Sequence, residues 1–453
     1  MKSETRLAEA IIERLRAAGQ EALLAGGCVR DLLLARPPKD YDVATTAAPD
    51  EVLALFPGAL AVGAAFGVVV VTDGPAQVEV ATFRSDQGYA DGRRPDAVTF
   101  TDARHDALRR DFTINGMFMD PSSGNVVDYV GGRSDLKAGL VRAIGDARQR
   151  FAEDHLRMLR AVRFAAELGF RIEPATAEAI RELAAKVAGV SAERVAAELE
   201  RLLTAPPDGR HVGLQLAADL GLMEVIMPEV TAMRGVRQGP ILVAPDPYRA
   251  VHPEGDVFVH TLLAVRELRE PTWELALAML LHDIGKPRTA ALREGRWTFY
   301  GHERVGEDMA RRVSSRLRLS ALQTRRLTWL VRSHMKLMYA DEMREARLKR
   351  LMAEEGFEEL AELWRADCLA SGGSAAPYDA LMARYRAMAR EDVKPRPLVT
   401  GDDLVAMGLE PGPVFREILD DVYDAQLEGR AAARDDALAL ARKIATEKCR
   451  PKP

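Results

Sequence analysis

Near the N-terminus, Leu7, Ile11, Ile12 and Leu15 fall between Arg6, Glu9, Glu13 and Arg14, the three- and four-residue spacing that predicts an amphipathic helix with no apolar core of the signal-peptide kind. From about residue 20 to 145 the pattern changes. Short β-branched or apolar runs, Phe66 to Thr72, Gln77 to Phe83 and Thr113 to Met119, alternate with Gly, Pro and Asp turns and short helical stretches, so an α/β region is expected. Beyond about 147 apolar residues return to helical spacing, as in Leu156, Leu159, Val162 and Phe164, or Leu262, Leu263, Leu268, Leu275 and Leu281. This part is expected to be all helical. The Gly- and Pro-rich stretch Arg234 to Asp256 marks the main break within it, and SGGSAAP, Ser371 to Pro377, a softer one. The expected divisions are 1–145, 146–235, 236–375 and 376–453. No internal repeat is evident, which argues against a solenoid.

Length and composition narrow the class. A chain of 453 residues is about three ordinary domains of ~150 residues and can bury an ample core. With 47% hydrophobic and 29% charged residues, wholesale disorder and a polytopic membrane protein are excluded. The uncharged stretch Val52 to Thr72 is long enough to span a bilayer, but Pro57, Gly58, Gly63 and Gly67 interrupt it. It reads as helix end, turn and buried strand, and no membrane partner is expected. The net charge is -5, so contact with nucleic acid would need a local basic patch. Three cysteines, Cys28, Cys368 and Cys449, without a CxxC pair suit neither a disulfide framework nor a cysteine-built zinc site, and a reducing cytoplasm is expected.

The first candidate chemistry lies in GGCVRDLLLARPPKDYDVAT, residues 26 to 45. In a strand, the two-residue spacing of Asp40 and Asp42 turns both carboxylates to one face. Such a pair repels itself unless a cation intervenes, so it suits one or two Mg²⁺ ions. Gly26 and Gly27 allow close backbone approach to a phosphate, and a helix starting near Cys28 would aim its first amides and Arg30 at that anion. The competing reading is an exposed turn with solvated carboxylates.

Five segments in order narrow the choice: GGCVRD, DYDVAT, VEVATFRSDQGYADGRRPDAVTF (78–100), LRRDFTINGMFMDPSSGNVVDYVGGRSDL (108–136) and EDHLRMLRAVRFAAELGF (153–170). Together they resemble the class II tRNA nucleotidyltransferases, which include the CCA-adding enzymes and poly(A) polymerases. The resemblance implies an α/β nucleotidyltransferase head of the DNA polymerase β-like kind, followed by an all-α body. It also implies template-independent addition of C and A to the 3′ end of tRNA from CTP and ATP. Asp40 and Asp42 would then be the catalytic Mg²⁺ ligands. Glu79, on a neighbouring strand, is a candidate third carboxylate, with a solvent-facing strand residue as the alternative. Arg109, Arg110, Asp111 and Asn115 in RRDFTIN are candidates to grip ribose and triphosphate, or else to brace the sheet. Asp154 and Arg157, three apart and expected on one helical face, would meet the Watson-Crick edge of the nucleotide. An ordinary surface ion pair is the alternative. Arg160 and Arg163 continue that side toward phosphates. Between Arg133 and Arg171 there are nine Lys/Arg against five Asp/Glu. AVGAAFGVVVV (61–71) stands where poly(A) polymerases of this kind carry a G-R/K-R-F element. The full-length segment Ser85 to Ala97 favours full CCA addition over CC-only enzymes, and A-only addition stays open.

A second ordered set is His260, His282 with Asp283, His302, His334 and Asp367, which uses four of the eight histidines. LLHDIGK (280–286) resembles the HD phosphohydrolases, whose H…HD…D pattern binds divalent metal and activates water against a phosphate ester. His302 and His334 are candidate ligands for a second ion, and Mn²⁺, Ni²⁺ or Fe²⁺ would suit the set. Two other readings remain: a phosphohydrolase whose head only binds nucleotide, and an RNA-binding scaffold. The run Arg304 to Arg350, with 13 Lys/Arg against five Asp/Glu, is expected either to guide RNA or to be a solvated helical face.

Overall fold

The computed structural model describes residues 3–63, 66–88, 97–238, 255–294 and 296–448. Most of the Ser85 to Ala97 segment, most of the Arg234 to Asp256 break, and Cys449 therefore lie outside the described residues. The chain divides into two compact units, Met1–Ala232 with Val313–Arg318 and Met233–Arg312 with Leu319–Pro453.

In the first unit, α1 (Ser3–Ala17) buries Ala8, Ile11, Ile12 and Leu15, the stripe its periodicity predicts. Each fully buried Ile or Leu contributes about 1.5–3 kcal/mol. Next come β1 (Ala22–Ala25), α2 (Gly27–Leu33), β2 (Asp42–Thr45), α3 (Pro49–Leu55), β3 (Leu60–Gly63), β4 (Val68–Asp73) and β5 (Ala76–Thr82). The uncharged stretch at 52–72 is thus a helix end followed by two strands, and among the described residues no helix is long and apolar enough to cross a membrane. A small hairpin of β6 (Arg84–Gln87) and β7 (Ala97–Phe100) precedes α4 (Ala103–Arg109), β8 (Met117–Met119) and β9 (Val126–Asp128).

Seven strands form one mixed sheet in the order β3-β4-β5-β2-β1-β8-β9. Only β2 and β5 run parallel, with Asp42 opposite Glu79 and Val43 opposite Val80. The alternation of Val78 and Val80 (buried) with Gln77 and Glu79 (exposed) fits one packed face and one open face. On the packed side, Leu23, Ala44, Phe83, Ala103, Ala107 and Phe118 make a core cluster, in which the Phe83 and Phe118 rings meet edge to face at 5.6 Å. The expected strand Thr113 to Met119 is shorter. Thr113–Asn115 is a single 3₁₀ turn, since Asn115 amide bonds back to the Phe112 carbonyl while its side chain is held by Asp111 and Arg30.

The rest of this unit is mainly helical: α5 (Gly132–Ala138), α6 (Ala147–Glu153), α7 (Leu156–Leu168), α8 (Pro174–Leu183), α9 (Ala192–Leu203), α10 (Pro207–Asp219), α11 (Leu222–Ile226) and α12 (Pro228–Thr231), with β10 (Leu140–Val141) pairing in parallel with β11 (Arg171–Ile172). One expectation is corrected here. Asp154 and Arg157 do not share a helix, because α6 ends at Glu153 and Asp154 is extended at φ -148°. Its Oδ1 accepts the Leu156 amide, a local side-chain bond that competes with helix continuation.

The second unit contains α13 (Val257–Glu267), α14 (Trp273–Leu281), α15 (Lys286–Thr289), a hairpin of β12 (Ala291–Arg293) and β13 (Arg296–Thr298), α16 (His302–Arg316, whose last turn is counted with the first unit), α17 (Ala321–Ser333), α18 (Glu345–Met352) and α19 (Phe357–Ala370). The β12 and β13 hairpin strands correct the all-helical expectation beyond residue 147. In α14 every residue but Glu274 is buried, as befits a helix apolar on all sides. It ends directly at His282 and Asp283. Short and long helices between Ala376 and Lys448 close the unit around Leu404, Ile418 and Val422.

Candidate active site and metal centre

In the first unit, β1 runs into a tight turn at Gly26, whose φ 73° and ψ -131° belong to the backbone region open only to glycine. A Cβ there would stand 2.9 Å from Arg110 Nη1 and 3.8 Å from Asp42 Oδ2. The turn thus packs the chain directly against a guanidinium and a carboxylate that lie 84 and 16 residues downstream in sequence, respectively. Asp42 opens β2, while Asp40 lies in the bend before it and is exposed. The two-residue strand argument therefore applies to Asp42 alone, since Asp40 lies outside β2, although both line the same cleft.

Burial, then Glu79, then Asp40 push the Asp42 carboxyl up to about 6, and Arg110 opposes them. Three carboxylates with one nearby guanidinium leave net negative charge at the open end of the strands. A divalent cation with oxygen ligands fits that donor set.

The cleft is about 900 Å³ and is lined on one side by Gly26, Asp40 and Asp42 and on the other by Asp154, Arg157 and Arg160. Arg109 and Arg110 both bond the buried Asp106 carboxylate, at 2.6 and 2.9 Å. These two guanidiniums hold the Asp106 carboxyl below its ordinary range against the opposing effect of burial. Asp111 is braced in turn. Burial would raise its pKa, but Arg160 at 2.6 Å, Asn115 and Arg157 hold it down at about 2. Arg30 lines the cleft with its guanidinium already bound to Asn115 Oδ1 at 2.8 Å and to Asp31 at 2.7 Å.

The structure places the expected base-reading pair in the cleft wall but pairs its members with others. Asp154 Oδ2 accepts from Arg194 at 2.6 Å, and Arg157 donates to Glu153 at 2.5 Å. Arg163 departs further from expectation. It is buried, bonded to Glu198 at 2.5 Å and Glu167 at 2.7 Å, and so braces α7 on α9 where the sequence suggested a reach toward phosphate.

Sequence reasoning missed three participants: Asp106, Arg194 and Phe164. Phe164 is buried, and the guanidiniums of Arg30, Arg160 and Arg163 lie 5.2, 5.3 and 4.0 Å from its ring centre. One aromatic ring thereby orders three cations. In the chain it looks like any apolar helix position, and only the basic R-A-V-R-F context hinted at more.

In the second unit, His260 on α13, His282 and Asp283 at the end of α14, His302 at the start of α16, His334 just after α17 and Asp367 on α19 converge. Nδ1 of His282, His302 and His334 meets the carbonyls of Met279, Phe299 and Val331 at 2.7, 2.8 and 2.7 Å. A carbonyl only accepts, so each Nδ1 carries the proton and each Nε2 presents a lone pair inward. Asp283 is shared between two sides. Its Oδ2 is 3.1 Å from His282 Nε2 and 4.0 Å from His260 Nε2, and its Oδ1 is 3.4 Å from His302 Nε2 and 3.9 Å from His334 Nε2. Asp367 Oδ1 reaches His260 Nε2 at 2.9 Å.

His302 and His334 approach Nε2 to Nε2 at 3.1 Å, a repulsive meeting of lone pairs unless a cation sits beside them. Burial, followed by His282 and His302, pushes the His334 imidazole down to about 3, and burial likewise lowers His302. The rings are therefore neutral at ordinary pH, the form in which imidazole ligates metal. This donor set fits divalent ions.

Comparison with known proteins finds matches over the regions that contain both centres. Residues 22–142 match the model of the poly A polymerase head domain, 169–234 that of a probable RNA and SrmB-binding site of polymerase A, and 257–367 that of the HD domain. The chain is 45% identical over 223 residues to the CCA-adding enzyme of Geobacillus stearothermophilus, covering 49% of this chain and 54% of that protein. It is 47% identical over 204 residues to that of Lactiplantibacillus plantarum, covering 45% and 50%. The matched region thus spans about half the length of these curated relatives. Among solved structures, that of the Bacillus stearothermophilus CCA-adding enzyme in complex with CTP is 28% identical, covers 99% of both chains and gives a TM-score of 0.74. A Thermotoga maritima CCA-adding enzyme complexed with tRNA shares the fold at 18% identity and a TM-score of 0.59, over 99% of this chain and 96% of that one. A poly A polymerase head, an RNA-binding segment and an HD domain in this order, on a fold shared along the whole chain with CCA-adding enzymes, show a nucleotidyltransferase head followed by a helical body with an HD domain.

Proposed function

We propose that the protein adds C and A to the 3′ end of tRNA, using CTP and ATP, in the cytoplasm. The observation that carries this reading is the carboxylate trio: Asp42 and Glu79 lie in register across parallel strands, and Asp40 and Asp42 line a cleft whose other wall carries Asp154 and Arg157. Asp40 and Asp42, with Glu79 as third carboxylate, would hold Mg²⁺. That ion would lower the pKa of the tRNA 3′-hydroxyl and neutralise charge on the departing pyrophosphate. Arg110 lies against both Gly26 and Asp42, where its charge meets the triphosphate entering over the glycine turn. Arg160, held by Asp111, faces the same space. Asp154 accepts from the amino group of C or A, and Arg157 donates to a base acceptor. U or G would set a carbonyl against the carboxylate and leave buried groups unpaired. The names of the relatives above support the same reaction. Incubating the protein with tRNA lacking CCA and labelled CTP or ATP tests it: Asp42→Ala should lose at least about a hundredfold in rate, and retention of a tenth or more of the activity would refute the assignment.

A second activity is supported by the HD cluster, in which the two oxygens of Asp283 face separate histidine sets. His260, His282, Asp283 and Asp367 on one side, and His302, His334 and Asp283 on the other, would hold divalent metal, which supplies a hydroxide for attack on a phosphate ester. We assign this centre to hydrolysis of 3′-terminal RNA phosphates. Metal analysis decides the ligand assignment: His282→Ala should lower bound transition metal without changing CTP addition more than a few-fold. Undiminished metal content would overturn it.

A further inference from the structure

The hairpin β12–β13 joins the two halves of the HD cluster, leaving Asp283 through α15 and returning at His302. Its base is tied to the centre. The Phe299 carbonyl holds His302 Nδ1 at 2.8 Å, and Lys286, whose Nζ is 2.6 Å from Asp283 Oδ2, lies 5.4 Å from the Phe299 ring centre.

Beyond that base the hairpin carries side chains that no protein group explains. Leu292 stands opposite Trp297, and Arg293 opposite Arg296. Like charges directly across a strand pair destabilise it, and a lone two-stranded hairpin is marginal to begin with. Both arginines are exposed, as is Arg288 just before the hairpin, and among the described residues none of the three has a carboxylate partner. Tyr300 is 76% exposed and its ring lies 5.4 Å from the Arg293 guanidinium, on the arginine face of the hairpin.

We propose that this face, formed by Arg293, Arg296 and Tyr300, is a binding site for single-stranded RNA that presents its 3′ end to the HD centre. The two guanidiniums take backbone phosphates, which removes their mutual repulsion, and Tyr300 stacks on a base next to them. A sequence-tolerant grip of this kind suits unpaired nucleotides, whose bases are open to stacking. A protein partner of opposite charge would satisfy the arginines but would not need the exposed ring.

The proposal rests on the HD reading for its substrate, and the test separates the two. An oligoribonucleotide carrying 5-iodouridine and a 2′,3′-cyclic phosphate is photo-cross-linked to the full-length protein, and the labelled peptide is identified by mass spectrometry. In parallel, kcat/KM is measured for that oligonucleotide and for bis(4-nitrophenyl) phosphate. Cross-linking should map to Tyr300. Tyr300→Ala and the double variant Arg293→Ala/Arg296→Ala should each lower the ratio of kcat/KM for RNA to that for the small ester by about tenfold. The double variant should also flatten the salt dependence of RNA binding. Leu292→Ala, on the opposite face, should leave the ratio unchanged. Absence of a hairpin cross-link, or equal loss on both substrates, overturns the proposal. If the wild-type protein hydrolyses neither ester, the HD reading fails and the cross-link alone decides the hairpin.

Discussion

Replacing Gly26 by alanine tests the geometry on which the candidate active site depends. At φ 73° and ψ -131° an L-residue is strained by about 1–3 kcal/mol. The added Cβ would also come within 2.9 Å of Arg110 Nη1, so the guanidinium must retreat from the carboxylates it offsets. Gly27 provides the control. It is the first residue of α2, and a Cβ there meets nothing nearer than Arg30 Nη2 at 3.8 Å. Gly27→Ala should be neutral or stabilise by about 0.4–1 kcal/mol through the unfolded chain. The two variants should therefore differ by about 2–3 kcal/mol. For a unit of this size each kcal/mol moves Tm by about 2–4 °C, so their melting temperatures should be roughly 4–12 °C apart by circular dichroism. CTP incorporation should fall at least about tenfold in Gly26→Ala alone, as expected when a charged group at the reaction centre is misplaced. Equal melting temperatures and equal turnover in the two proteins would refute the claim that the turn sets the position of Arg110.

Asp111 has a pKa near 2 in the folded protein, depressed chiefly by Arg160 against the raising effect of burial. Because that value lies below the unfolded one of ~3.9, its stabilisation of about 2 kcal/mol is present above pH 4 and is lost as pH falls from about 4 to 2. Asp111→Asn should remove it, and urea unfolding of the variant should show a flatter pH dependence over that window. An unchanged slope would mean the pair contributes nothing. Arg194→Ala deprives Asp154 of its 2.6 Å partner and should lower the preference for CTP over UTP by about tenfold; an unaltered ratio would reduce Arg194 to a structural brace. Phe164→Leu should cost about 1–3 kcal/mol in stability and raise the KM for nucleotide several-fold, since Arg30 and Arg160 lose their common ring. A stability loss with no change in KM would show that the ring supports only the core.

Much of the chemistry was legible in the chain because it is local or ordered. The Asp40 and Asp42 spacing, the Gly26-Gly27 turn and the His-Asp pair at 282 and 283 are short patterns whose meaning depends on a few neighbouring residues, and the amphipathic stripe of α1 follows from its period alone. Contacts between distant residues were not legible. Parallel pairing of β2 with β5, not any spacing, puts Glu79 opposite Asp42. Packing of α7 on α9 gives Arg163 to Glu198 and buries it, although its three-residue step from Arg160 pointed toward phosphate. The break at Asp154 likewise arises where a side-chain oxygen captures the Leu156 amide, which periodicity does not register because it averages over several residues. The order of ligands along the chain singled out the HD set, but only the fold splits Asp283 between two groups of histidines. Spacing determines which face a side chain occupies on its own element, whereas the partner it meets depends on how elements far apart in sequence bury their apolar faces against one another.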